Sequence, residues 1–340
     1  MNISIAMATY NGSPYLREQL ASLARQTRLP YELVIVDDRS TDNTDDILKG
    51  FAVKAPFPVR IYKNKEHLGY TKTFLLAANY CKGDWVAFCD QDDVWQAGKI
   101  HSIATRTEKD TGLLVFIHDA IPCDETMCPI GLPLVSRVYG IIRGHRARSL
   151  GSPYQIYAGC CLAFKRSLLC IFPAENLHAC ADNNLIKHDV WISILAYVLG
   201  DVYFSPKPLV LYRRHGRTVT GDYVQGFRDK LLRIKTTSYD QYLKNADDYA
   251  NIAMILRTVA EHNPQAATHT LLSDGAAQFD QLSKWAQKRS KLYQSGSRRE
   301  RALILTRTLR SGCYFGVRRK SGYGIRALIK DLGRLWCGGT

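Results

Sequence analysis

The stretch Trp85–Trp95, WVAFCDQDDVW, limits what this chain can become more than any other. Five apolar residues, Trp85 to Cys89, run straight into Asp90, Asp92 and Asp93. A short apolar run reads as a buried strand. Acids at its end would sit where a parallel sheet opens to ligand, beyond the carboxyl ends of its strands. Three carboxylates this close repel one another, and desolvating them is costly unless something cationic sits among them. One solution is a hard divalent ion, Mg2+ or Mn2+, held by one or two carboxylates, with substrate phosphates completing its shell. The other is a solvated acidic turn that caps the next helix. The stretch by itself admits both.

Its surroundings supply a fold class. Residues 3–9 alternate as a strand, and Tyr10–Asn11–Gly12 makes a turn. Ser13 can cap a helix running to about Gln26, with Pro14 at its first position. A second strand, Glu32–Val36, ends in Asp37–Asp38, and a short helix spans Asn43–Lys49. A third strand, Pro58–Tyr62, precedes a helix from about Thr71 to Tyr80. Strand and helix alternating at this spacing predict a parallel sheet with crossover helices. Three of the first four strands end in polar groups: Thr9 and Asn11, Asp37 and Asp38, and the acids of Asp90–Asp93. Such convergence is what a nucleotide cleft requires. Further on, a strand is expected at Leu113–His118 and another at Tyr157–Lys165, where Gly159 allows a close backbone approach. A helix is expected from His188 to Leu199, with two short strands near 202–204 and 208–212. From about Gln225 the chain reads as helices separated by Pro264, Gly275, Gly296 and Gly312.

Several function classes fall away. The first strand is not followed by G-x-G-x-x-G, which argues against a dinucleotide oxidoreductase, and G-x-x-x-x-G-K-[ST] is absent. Without a glycine-rich cradle, a metal and basic side chains must neutralise a diphosphate. Lys72 and the cluster Arg213–Arg214–His215 are candidates; Lys72 could equally lie on a solvated helix face. The ten cysteines form no C-x-x-C pair, and several lie inside apolar runs, so they read as buried thiols. The sequence opens on a strand-like segment rather than a basic-then-apolar leader, and no apolar run reaches spanning length; cytoplasm is the expected location.

Taken in order, ATYNG, VDDRSTDNT, HLGYTKTF and FCDQDDVW resemble the inverting nucleotide-sugar transferases of glycosyltransferase family 2, which have the GT-A fold. KHDVWISILAYVLGDVYFSPKPLVLYRRHGRTVTG resembles the second half of a bacterial subgroup that includes rhamnosyltransferases of surface-polysaccharide assembly. The resemblance covers about residues 1–221. It implies a mostly parallel α/β sheet flanked by helices as catalytic domain, with 222–340 as a helical, basic extension. It also implies roles. Asp38 would accept from the nucleobase imide, with Thr9 and Asn11 in the same pocket. Asp90 and Gln91 would lie on the nucleotide-sugar side. Asp92 would be the main ligand of a Mn2+ or Mg2+ ion, with Asp93 supporting it. Asp189 would be the catalytic base, although a helix start also suits a capping acid. The family's more common second half carries an E-D pair and Q-x-x-R-W. Here HD and YRRHG stand instead; by position, Arg213 and Arg214 would lie beside the diphosphate and His215 would be a metal ligand. His215 could also pair with Asp222. The implied donor is a dTDP- or UDP-linked sugar, and the implied acceptor a glycan, free or lipid-linked. A sugar-nucleotide pyrophosphorylase is a rival, but it would show a glycine-rich basic signature after the first strand. A binding scaffold with a silent transferase domain is another, but it would have lost Asp92 or Asp189.

The net charge of +15 is uneven. Residues 281–340 carry fifteen Lys/Arg against Glu300 and Asp331, while 1–280 is nearly neutral. Interleaved with Leu303, Ile304, Leu305, Tyr314 and Ile325, these cations suit an anionic membrane surface. A solvated helical surface is the plainer alternative. Nucleic acid is not expected as a partner.

Overall fold

The computed structural model describes residues 1–134, 145–147, 157–171, 186–216, 239–294, 297–314 and 324–336. The chain divides into two compact units: one holds most of residues 1–220, and the other joins Tyr197–Leu199 to the residues from Gly221 onward.

The first unit is built on the expected alternation. Strands β1 (Ile3–Thr9), β2 (Glu32–Asp37), β3 (Val59–Lys63) and β4 (Trp85–Cys89) interleave with helices α1 (Leu16–Ala24), α2 (Thr44–Lys54) and α3 (Tyr70–Tyr80). β1 pairs in parallel with both β2 and β4, and β2 with β3. Every residue of β1, β2 and β4 is buried, which explains why β2 and β4 read as apolar runs; β1, read as alternating, buries Ser4 and Thr9 as well. The second half is mixed. β5 (Val94–Trp95), α4 (Lys99–Lys109), β6 (Val115–Cys123), β7 (His145–Ala147), β8 (Leu162–Lys165), the single turn α5 (Leu168–Ile171), α6 (His188–Leu199) and β9 (Val202–Arg213) complete the unit. β8 is antiparallel to β4 and β6, while β6 and β9 run parallel. The sheet order is β3-β2-β1-β4-β8-β6-β9-β5, with β7 against β9. This is an α/β GT-A type sheet, parallel in its N-terminal half.

The departures from the expected elements have local causes. α1 begins at Leu16 rather than at Pro14, and Ser13 is not its cap: the Ser13 N–H is held by Asp42 Oδ2 at 3.1 Å, and the Gly12 carbonyl accepts from Tyr15 and Leu16 N–H. α2 runs on to Lys54. The expected strand at 157–165 starts with a 3-10 turn, Gly159–Cys161. The two short strands near 202–212 are one strand whose pairing with β6 slips around Asp119. Pro206 and Pro208 lack the N–H that would keep the ladder in step.

The second unit contains α7 (Tyr239–Glu261), α8 (Ala266–Gln294), α9 (Arg298–Arg310) and α10 (Gly324–Trp336). Gly275 does not separate helices; it lies within α8, where an added Cβ would come within 2.6 Å of Val198. Close packing keeps a glycine in a helix interior that its propensity disfavours. Much of the expected basic surface is present, since Arg299, Arg307 and Arg310 are exposed, but Arg289 and Arg301 are buried. Arg289 donates from Nε and Nη2 to the two carboxylate oxygens of buried Asp331, at 2.7 and 2.9 Å. The hydroxyls of Tyr293 and Tyr314 donate to the same carboxylate at 2.8 and 2.6 Å. A buried pair survives only when its remaining hydrogen-bonding capacity is filled in this way. Arg318, Arg319, Lys320 and Tyr323 lie outside the described residues.

Candidate active site

The polar ends of β1, β2, β4 and β9 and the start of α6 surround one cleft of about 680 Å³ in the first unit. Its lining includes Thr9, Asn11, Asp38, Asp90, Gln91, Asp92, Asp189, Arg213 and His215. Asp93, Lys72 and Arg214 are outside that lining.

At the β1 end, Asn11 takes a left-handed φ of 48°, which its short polar side chain tolerates. Its amide oxygen accepts from Thr41 N–H at 2.9 Å. Gln91 then clasps this turn to the acidic loop: Tyr10 N–H donates to Gln91 Oε1 at 2.9 Å, and Gln91 Nε2 donates to the Tyr10 carbonyl at 3.1 Å. A Cβ on Gly12 would fall 2.3 Å from Gln91 Oε1, so the clasp requires glycine. Thr9 is buried and donates to Asp37. Asp38 is buried too, and its carboxylate accepts from the N–H groups of Leu68 and Gly69 at 2.8 Å each and from Asn64 Nδ2 at 2.7 Å. Asp38 therefore holds the wall at 64–69 in place. His67 stands 3.0 Å from Asp38 Oδ2 and packs against Tyr10, which puts it in the lining although sequence reasoning passed over it.

The three acids after β4 have different surroundings. Asp92 Oδ2 lies 2.8 Å from His215 Nε2, and both side chains face the cleft. Asp90 is pushed up to about 7 by burial and by the nearby charges of Asp92 and Asp189. Asp93 is fully buried, accepts from Arg213 N–H at 3.0 Å, and is driven well above the carboxylate range by burial. Asp90, Asp93 and Cys160 bring ligand atoms within 4.8 Å of one another. A hydrogen bond with Cys161 and then burial push the Cys160 thiol up, which makes it the poorest donor of the three for a hard, oxygen-seeking cation. The Asp92–His215 pair adds a carboxylate oxygen and an imidazole that face the cleft; of these the oxygen is the donor type that Mn2+ or Mg2+ favours.

Two cations support this loop, and neither role was legible beforehand. Lys99 is completely buried, lies 3.5 Å from the centre of the Trp95 ring, and donates to the Cys160 carbonyl at 2.7 Å. It arrives from the next helix, α4, and burial holds its ammonium below the usual lysine range. Arg213 donates from Nε to the Asp92 carbonyl at 2.7 Å, from Nη1 to the Glu125 carbonyl, and from Nη2 to the Glu18 carboxylate. It also lies over Tyr15, whose ring packs 4.8 Å from that of His215. Its guanidinium is thus committed to shaping the acidic loop.

Asp189 lies in the first turn of α6, where the helix dipole favours an acid, and its Oδ1 accepts from Val190 N–H at 2.8 Å. His188 beside it is buried against Phe74.

Residues 4–172 match the model of Glycosyl transferase family 2, and the chain belongs to that family. Among its relatives, the dTDP-rhamnosyl transferase RfbG of Shigella flexneri is 27% identical over 259 residues, 72% of this chain and 83% of RfbG. The uncharacterised glycosyltransferase YwdF of Bacillus subtilis is 32% identical over 108 residues, 32% of this chain and 39% of YwdF. A second such relative, from Nostoc, is matched over 32% of its length, and a third, from Mycoplasma pneumoniae, over 40%. These matches thus span only about a third to two fifths of those relatives. In structure, the chain resembles S. aureus TarS 1-349 in complex with UDP-GlcNAc, with a TM-score of 0.53, 16% identity, and coverage of 98% of this chain and 89% of that one. Likeness at that identity speaks for the fold.

Proposed function

We propose that this chain transfers a sugar from a nucleoside-diphosphate donor, dTDP- or UDP-linked, to a hydroxyl of a glycan acceptor, inverting the anomeric centre. The observation that carries this reading is the meeting of Asp92–His215, Asp90 and Asp189 in one cleft whose far wall is organised by Asp38. Similarity to the dTDP-rhamnosyl transferase RfbG supports rhamnose as the sugar.

An inverting transfer is a single displacement. The acceptor oxygen bonds to the anomeric carbon as the bond from that carbon to the diphosphate oxygen breaks, through an oxocarbenium-like state. Asp189 takes the hydroxyl proton as the new bond forms. Asp92 and His215 would hold the divalent ion, which supplies counter-charge to the departing diphosphate. Arg213, Gln91 and Lys99 fix the loop that carries Asp92, so its aim does not depend on the ligand. Exposed Leu303 and Leu309 beside exposed Arg307 and Arg310 support peripheral attachment to an anionic membrane, where a lipid-linked acceptor would lie.

Thermal denaturation with UDP, dTDP and their sugar conjugates, each with Mn2+ and with EDTA, tests the proposal. A ligand that binds only the folded state adds about 2.7 kcal/mol at a hundredfold excess over its dissociation constant. A metal-dependent rise with uracil or thymine nucleotides, lost in Asp92→Asn and His215→Ala, is the expected result. Folded protein that responds to none of them overturns it.

A further inference from the structure

The Asp38 carboxylate is already surrounded. A carboxylate offers about four lone-pair sites. Oδ1 accepts from Asn64 Nδ2 at 2.7 Å and from Leu68 N–H at 2.8 Å. Oδ2 accepts from Gly69 N–H at 2.8 Å and has His67 Nδ1 3.0 Å away. With these groups in place the Asp38 side chain is only 2% exposed, although it lines the cleft. The imide of a uracil or thymine base is one more N–H donor. It can reach this carboxylate only in exchange for a group already there.

The four groups are not equally tied. Leu68 and Gly69 donate from the backbone that leads into α3, and the Gly69 carbonyl accepts from Thr73 N–H at 3.1 Å and Thr73 Oγ1 at 2.8 Å. Asn64 is held by its own N–H on the Asp37 carbonyl at 2.9 Å, and its Nδ2 also donates to Thr73 Oγ1 at 3.1 Å. His67 differs. Its side chain is 56% exposed, and its ring packs on exposed Tyr10 at the cleft wall, 4.5 Å between centroids. Nδ1 also lies 3.3 Å from the Asp38 carbonyl oxygen; facing two acceptors, it carries a ring proton. Rotation about the side-chain bonds of His67 takes this donor to solvent and leaves the backbone untouched.

We infer that His67 is a specificity-determining residue of the base pocket: it covers Asp38 until the imide N–H of a uracil or thymine base displaces it. This rests on the uracil- or thymine-nucleotide reading proposed above. The exchange replaces one N–H donor near the carboxylate by another, so an imide binds with little net gain from this contact. A base without an N–H donor leaves His67 where it is and meets a covered carboxylate. Nucleotide affinity is thereby reduced by the fraction of molecules in which His67 has not swung away.

Isothermal titration in the presence of Mn2+ tests this with UDP, dTDP, a UDP methylated on the imide nitrogen, and pyrophosphate. The proteins are wild type, His67→Phe, His67→Ala and His67→Asn. His67→Phe keeps a ring against Tyr10 without a donor. It should melt below wild type in the absence of nucleotide, yet bind UDP and dTDP roughly tenfold more tightly. Its affinity for pyrophosphate and for the methylated UDP should stay at the wild-type value. His67→Asn, which returns an N–H at about the reach of Nδ1, should bind UDP as wild type does. His67→Ala carries the test if His67→Phe does not fold. UDP affinity in His67→Phe equal to or below that of wild type overturns the inference. So does a gain shared equally by the methylated UDP, which would make His67 a steric cover only. Either result leaves the transferase reading standing. Failure of the wild type to bind any nucleotide overturns that reading and this inference with it.

Discussion

At the scale of single residues, His188 and Asp189 are neighbours with opposite demands. His188 is neutral in the folded protein, its pKa held down from 6.5 to about 4 by burial. In the unfolded chain it would take up a proton below about 6.5, so the unfolded state binds more protons and stability falls as the pH drops from 6.5 toward 4. The shift amounts to about 3 kcal/mol over that window. Chemical denaturation at pH 7 and pH 4.5 should show a smaller loss for His188→Phe than for the wild type; equal losses would mean the imidazole is already solvated. Asp189→Asn should leave Mn2+-dependent nucleotide binding intact while transfer falls about 10² to 10⁴-fold, the usual weight of a general base. Turnover within a few-fold of wild type would place the base elsewhere. That Asp92, Asp189 and His215 would meet in one cleft was legible in the sequence because their neighbours form ordered motifs. The committed contacts of Arg213 were not, since its partners Glu18, Asp92 and Glu125 come from distant parts of the chain. Residue type alone suggests a phosphate ligand; only the fold shows the guanidinium occupied.

At the scale of elements, β2 and β4 were legible because buried parallel strands write themselves as apolar runs of near-final length. Where the reading slipped, tertiary packing overrode a local signal. Gly275 looked like a helix boundary, and α8 passes through it because Val198 occupies the space of a side chain. This yields a sign test. On propensity alone Gly275→Ala should stabilise α8 by up to about 1 kcal/mol. The contact predicts the reverse, a net loss of about 1–3 kcal/mol from overpacking. The double variant with Val198→Ala should recover most of it. A stabilised single variant in urea denaturation would show that Val198 yields freely. The buried Arg289–Asp331 pair was illegible for another reason: in sequence, both residues looked like surface charge. Asp331→Asn leaves Arg289 buried without its counter-charge and should cost about 3–5 kcal/mol. Loss of hydrogen-exchange protection across Gly324–Trp336 would localise the damage to α10.

At the scale of the whole molecule, charge divides the chain more sharply than sequence length does, and the structure decides how a membrane role must be tested. Removing everything after residue 280 would seem the direct route, but it would cut α8 midway and strip Arg289, Tyr293, Tyr314 and Asp331 from one buried cluster. Any loss of binding would then report unfolding. The exposed face of α9 offers a cleaner handle. Arg299, Leu303 and Arg307 follow one another at four-residue spacing, so they lie along one face, with Arg310 in the last turn; all four are exposed. Each arginine near an anionic surface contributes about 1 kcal/mol, so neutralising three should weaken partition by about a hundredfold. In the full chain, Arg299→Gln/Arg307→Gln/Arg310→Gln should lose flotation with phosphatidylserine-containing vesicles while its melting temperature stays near wild type. Raising salt should release the wild type in the same way, because the attraction is screened over about 10 Å at 0.1 M. If the triple variant floats as well as wild type on anionic vesicles, α9 is a solvated surface, and a lipid-linked acceptor must be reached by another face.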